Sequence, residues 1–157
     1  MPYDTLGKRE IPILSVLTIT GKSDKSQNDI LRDTMKLAIN HLQGGEWCEN
    51  AKGLDAYQAL INIFNENPDI AVSWNAEYFL GTYCALKEYA YKYFEKADIS
   101  ELAKLYRAVF SAWMEAYQIK TNEDVTSHET RTKIVSLLQS AYKNEKEAVQ
   151  IMESYIK

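Results

Sequence analysis

The chain has 157 residues, 46% of them hydrophobic, with 18 Lys and Arg against 22 Asp and Glu and a formal net charge of −4. A fold of this length buries roughly 70% of the surface its unfolded chain exposes, so a single core can form without staples. The acidic balance and the lack of a Lys/Arg run argue against a duplex nucleic-acid binder, which needs a clustered basic face. No apolar run approaches the roughly 18 residues of a membrane-spanning helix.

The first residues have no basic segment leading into an apolar one and a cleavage site, so no secretory signal is read there. The two cysteines, Cys48 and Cys84, are not spaced as C-x-x-C, and a reduced pair in a soluble, cytoplasmic protein is the expectation. Eleven Tyr stand against four Phe. An apolar ring with a polar tip suits half-buried walls, helix interfaces and subunit contacts.

Ile11 to Thr20 is apolar and rich in β-branched residues, and Gly21-Lys22-Ser23-Asp24 ends it. This reads as a short strand or extended arm over residues 1–25, with Pro12 suited to an edge or a strand start. Nothing else in the chain reads as strand. The segment must therefore pair with a second copy, lie over the helices, or complete a neighbouring domain's sheet.

Residues 26–157 read as one helical domain. Ser26-Gln27-Asn28-Asp29 has capping-box form, and a stripe at Ile30/Leu31, Thr34/Met35, Ala38/Ile39 and Leu42 follows until Gly44-Gly45 stops it. A second helix runs from about Leu54 to Asn65, ended by Asn67-Pro68. The third, from about Ser73 to Ala97, has apolar residues on two sides and reads as the central helix, with Gly81 permitting a close helix approach. Asp98-Ile99-Ser100-Glu101 and Thr126-Ser127-His128-Glu129 resemble capping boxes for a fourth and a fifth helix, the last with a possible bend at Asn144. The fold class is thus all-α, with about five helices in a bundle-like domain.

Catalytic and metal signatures are sparse. The isolated Cys and the two His supply no tetrahedral ligand set, Glu-x-x-His is absent, and no phosphate-cradling glycine motif occurs. No metal and no cofactor is expected. Cys48 and His41 flank the Gly44-Gly45 hinge, but His41 is accounted for as a basic residue ending a helix. Glu88 and Glu145 each fall beside apolar helix positions, where a carboxylate must be paired, shifted in pKa or turned to solvent.

What remains is an aromatic and acidic constellation near adjacent helix starts. Trp47, Asp55, Tyr57, Trp74, Asn75 and Tyr78, with Glu46 nearby, form the candidate ligand-binding wall. Rings and carboxylates together suit a cationic or amphipathic small molecule. The alternative is structural: Asp55 complements a helix dipole, and Trp74 and Asn75 fix a helix entry.

Gly53-Leu54-Asp55-Ala56-Tyr57-x-Ala59, then Ser73-Trp74-Asn75-Ala76, then Ala141-x-x-x-Glu145-x-x-Ala148-Val149 resembles the helical C-terminal region of bacterial proteins related to butirosin biosynthesis protein H. In those a papain-like cysteine domain, used for acyl transfer or peptidase-like chemistry, precedes the helices. The resemblance implies a substrate-shaping or ligand-binding module without its catalytic half, and a strand taken from a neighbouring domain's sheet. Two departures matter: Leu60 stands where relatives often have Trp, and Cys48 lies within the helical region, so no catalytic role transfers to it.

Three functions follow as expectations. The first is a non-catalytic small-molecule-binding module. The second is an interaction or assembly module, forming a homodimer or joining a separate catalytic domain through the arm and the Tyr-rich faces. The third is an acyltransferase-like or hydrolytic enzyme using Cys48 or a buried carboxylate.

Overall fold

The computed structural model describes residues 24–44 and 52–157. The expected N-terminal strand, Trp47, Glu46 and Cys48 lie outside the described residues. Within them the chain is all-α: α1 (Gln27–Leu42), α2 (Gly53–Glu66), α3 (Pro68–Ala71), α4 (Trp74–Lys96), α5 (Ser100–Asn122) and α6 (His128–Ile156). Among the described residues no helix is long and apolar enough to cross a membrane.

Helix α1 begins as its sequence predicts, with the Ser26 hydroxyl oxygen accepting the Asp29 amide at 3.1 Å. Pro68 does not merely end α2; it opens the additional one-turn helix α3, because its missing N–H is no loss at a first helical position. The two later capping boxes do not form. Asp98 has a φ of 58° and belongs to the end of α4, where the Ile99 amide donates to Phe94 O at 3.0 Å and the Asp98 amide to Glu95 O at 3.1 Å. That pair of bonds is a Schellman closure, so Asp98 terminates one helix instead of capping the next. Before α6, Asp124 takes the Thr126 amide and hydroxyl at 2.9 and 2.6 Å, and those bonds lower its carboxyl pKa. Arg131 donates to the carbonyls of Val125 and Thr126. Helix α6 then runs unbroken through Asn144.

The central pair is α5 and α6, not α4. Helix α4 packs along α5, α2 and α1 pack on α6, and α2 and α4 make no close backbone approach. The inward stripe of α6 explains its role: Ile134, Leu138, Ala141, Glu145, Ala148 and Met152 are all buried, at alternating four- and three-residue spacing on one helix face. Gly81 allows α4 to approach α5 closely, since a Cβ there would lie 3.1 Å from the Tyr117 ring.

The apolar interior has two parts. One gathers α2, α3 and the first half of α4 around Val109, Trp113, Leu138 and Ala141. The other joins α1 and the second half of α4 to Leu102, Tyr106, Ala148 and Met152. Glu145 falls between them on α6.

Gly53 starts α2 against the last carbonyls of α1. Its φ is 51°, and a Cβ there would stand 2.2 Å from Leu42 O and 2.5 Å from His41 O. An L side chain would be strained in the left-handed region and would push α2 off the end of α1. Gly53→Ala is expected to cost about 1–3 kcal/mol, read as a lower urea midpoint with an unchanged slope.

Candidate functional site

Two opposite charges occupy positions that the helix period assigns to the interior. Lys87 continues the α4 stripe of Leu80 and Cys84, and Glu145 continues the stripe of α6. They meet: Lys87 Nζ donates to Glu145 Oε1 at 2.7 Å, with the side chains 13% and 1% exposed. The Tyr57 hydroxyl donates to Glu145 Oε2 at 2.5 Å, and the Trp113 indole N–H donates to that same hydroxyl at 2.8 Å. Four helices thus supply one member each of a buried polar chain.

The accounting is complete on one side only. Both Glu145 oxygens are engaged, the Tyr57 hydroxyl gives and receives one bond, and the Trp113 donor is used. Lys87 has three N–H groups and spends one on Glu145. Its ammonium lies 5.9 Å from the Tyr57 ring centre and 6.0 Å from that of Tyr83, within reach of cation–π attraction. Burial first, and the Glu145 charge second, raise the Tyr57 hydroxyl well above its ordinary pKa, and the same two causes act on Tyr106.

Because α2 and α4 stay apart, a cavity of about 520 Å³ opens between them above this chain. Leu60 and Ile63 of α2 form one wall, Phe79 and Tyr83 of α4 the other, and Tyr57, Lys87 and Trp113 also line it. Tyr83 stacks on Trp113 with centroids 5.5 Å apart, and Tyr57 meets Trp113 edge-on at 5.3 Å. The size falls in the range of small-molecule sites, which combine apolar walls with few placed polar groups. His41, Leu42, Lys52 and Gly53 also border it.

The six residues singled out in the sequence do not share this cavity. Tyr57 lines it. Trp74 and Tyr78 stack on each other at 5.2 Å and border a separate, shallower depression beside Gly81 and Tyr117. Asp55 and Asn75 are exposed and line neither of the two, and Trp47 lies outside the described residues. The expected grouping assumed that helix starts cluster; Tyr57 instead faces inward from α2, while Trp74 and Tyr78 point off the outer flank of α4.

Sequence reasoning passed over Lys87 and Trp113 as site residues. The signal for Lys87 is its phase, three residues after Cys84 and seven after Leu80 on a buried stripe. Glu145 was marked by the same signal, and it does not turn to solvent. Glu88, in contrast, pairs with Lys92 at 2.6 Å at the surface. Cys84 is a buried thiol, pushed up in pKa by burial and then by the Glu88 charge, a setting that suppresses thiolate chemistry. Among the described residues no group of three His, Cys, Asp or Glu can hold a metal.

Comparison of the chain with protein-family models, with curated proteins and with solved structures gives no match.

The raised tyrosines set a pH dependence. A folded-state hydroxyl pKa above the ordinary value of 10.0 means that the unfolded chain binds fewer protons at high pH. Stability is therefore full below about pH 10 and falls as pH rises beyond it. In an absorbance titration, Tyr57 and Tyr106 should ionise only with unfolding. Tyr57→Phe should remove one late-titrating group and cost about 1–3 kcal/mol, because a Glu145 oxygen and the Trp113 N–H lose their partner. Eleven tyrosines titrating together in the folded protein would contradict this.

Proposed function

We propose that this chain is a non-catalytic small-molecule-binding module whose ligand occupies the cavity between α2 and α4. The observation that carries the reading is the combination of apolar and aromatic walls with one inner polar group that retains unspent donors. Leu60, Ile63, Phe79 and Tyr83 offer apolar and aromatic walls, and Lys87 lines the cavity with them. Such a site orients a ligand by one polar contact and holds it by surface burial. Apart from the spare donors of Lys87, the polar chain beneath is satisfied, so the remainder need not rearrange before a ligand enters.

A second reading, an interaction module, draws support from the outer flank of α4. Trp74, Tyr78, Leu86 and Tyr89 are 69%, 53%, 54% and 71% exposed. Large apolar side chains gathered on one helix are the usual mark of a contact surface. The resemblance to a helical region that accompanies a catalytic domain is consistent with such a partner, and so is a homodimer.

One set of native mass spectra addresses both readings. Gently purified protein should carry a small molecule that leaves on denaturation, or take up aromatic fragments that shift the Trp113 indole N–H resonance. Ala56→Trp, which places an indole in the cavity, should abolish either signal without loss of helicity. Retained binding in Ala56→Trp, or no binding by the parent protein, would contradict the ligand reading. A dimer that disappears in Trp74→Ser/Tyr89→Ser supports the interaction reading in its homodimeric form, and a monomer throughout contradicts that form.

A further inference from the structure

The outer flank of α4 carries more than scattered exposed rings. Asn75, Tyr78, Thr82, Ala85, Tyr89 and Lys92 recur at alternating three- and four-residue spacing, and all six are exposed. That spacing sets them in one seam along the 23-residue helix, turned away from the buried Ala76, Leu80 and Cys84. The seam is a palindrome. About the midpoint between Thr82 and Ala85, Tyr78 answers Tyr89 and Asn75 answers Lys92. Small residues hold the centre, where a second helix can approach closely, and a ring stands on each side of it.

A surface that reads alike in both chain directions suits a two-fold interface, in which residue i meets j while j meets i. Resting on the interaction reading in its homodimeric form, we propose that the occupant of this flank is a second copy of the chain, its α4 antiparallel to the first. Tyr78 then lies against Tyr89 of the partner subunit, twice over, and Thr82 lies against the partner's Ala85. Charge selects this direction. The seam's charged residues are Lys92 and, one step further at the same spacing, Lys96, both near its C-terminal end. An in-register parallel pair would set each lysine against its own copy. The antiparallel pair carries them to the other copy's α3 and α4 start, where the charged residues are Asp69 and Glu77 and no Lys or Arg occurs from Gly53 to Leu86. There Lys92 of the partner subunit meets the exposed Trp74 ring, a cation over an aromatic face. On the edge of the seam toward α2, the same symmetry brings the partner's Leu86 beside Phe79, a wall residue of the cavity.

Sedimentation velocity on the full chain over a concentration series should show a reversible dimer. Ala85→Glu puts a carboxylate at the centre of the seam and should weaken that dimer about tenfold or more, with helicity unchanged, because the charge would be buried without a partner. Leu37→Glu, at an exposed residue of α1, should leave the dimer as it is. Direction is read by disulfide trapping in Cys48→Ser protein, whose remaining cysteine, Cys84, is buried. Tyr78→Cys mixed with Tyr89→Cys should give a cross-linked dimer. Either variant alone should not, because the helix rise from 78 to 89, about 16 Å, then separates the two thiols. A dimer indifferent to Ala85→Glu, or a cross-link in Tyr78→Cys alone, overturns the antiparallel α4 pairing and leaves the homodimeric reading standing. A monomer at every concentration, with no cross-link in the mixture, overturns both.

Discussion

The Lys87–Glu145 ion pair is the constraint around which the molecule is arranged. A charge taken out of water costs several kcal/mol unless it is paired and its remaining valences are met. Glu145 sits at an interior position of the longest helix, on the boundary between the two apolar clusters. The fold meets this demand by bringing Lys87 from α4, Tyr57 from α2 and Trp113 from α5 to one point. Each of those helices is thereby fixed in register as well as in distance, since a shift of one turn would leave a buried group unmatched. Apolar packing alone is less particular about register.

The same requirement shapes the cavity. To deliver an ammonium and a phenol to opposite oxygens of one carboxylate, α4 and α2 must approach it from two sides. Their backbones consequently stay apart, and the residues that face each other across the gap are Ile63 and Leu60 on one side and Phe79 and Tyr83 on the other. Gly53 sets the edge of the opening by letting α2 begin against the last carbonyls of α1. A polar chain that is otherwise satisfied thus presents one group with spare donors to a hydrophobic slot. The side chains that hold the helices in register therefore include three that also line the cavity, Tyr57, Lys87 and Trp113.

Much of the fold was legible because helix periodicity is a strong local signal. The stripes of α5 and α6, the Ser26 cap and the close approach at Gly81 all follow from residue spacing. What failed was local chemistry with two uses. Asp98 reads as a helix start, yet a short polar side chain also tolerates the left-handed conformation that ends the previous helix, and the Schellman bonds decide for the latter. The third predicted helix has apolar residues on two sides, which reads as central burial; in α4 one of those sides borders the cavity and the other is exposed.

The site was half legible for a related reason. Tyr57 and Glu145 stood out as a ring and a carboxylate among apolar neighbours. Nothing local couples them, because the partners are 88 residues apart and the third member, Lys87, looks like any lysine on a helix until its phase is counted. Trp74, Asn75 and Tyr78 were grouped with Tyr57 by proximity in sequence, and the turn through α3 sends them to another side of the bundle. A double-mutant cycle on Lys87→Met and Glu145→Leu, followed by urea unfolding, tests most directly whether this one pair organises the structure. Each single variant should lose about 3–5 kcal/mol, and the double variant should lose no more than the worse single one. Losses that add to within about 0.5 kcal/mol would mean that the two charges act independently, and the account would fail.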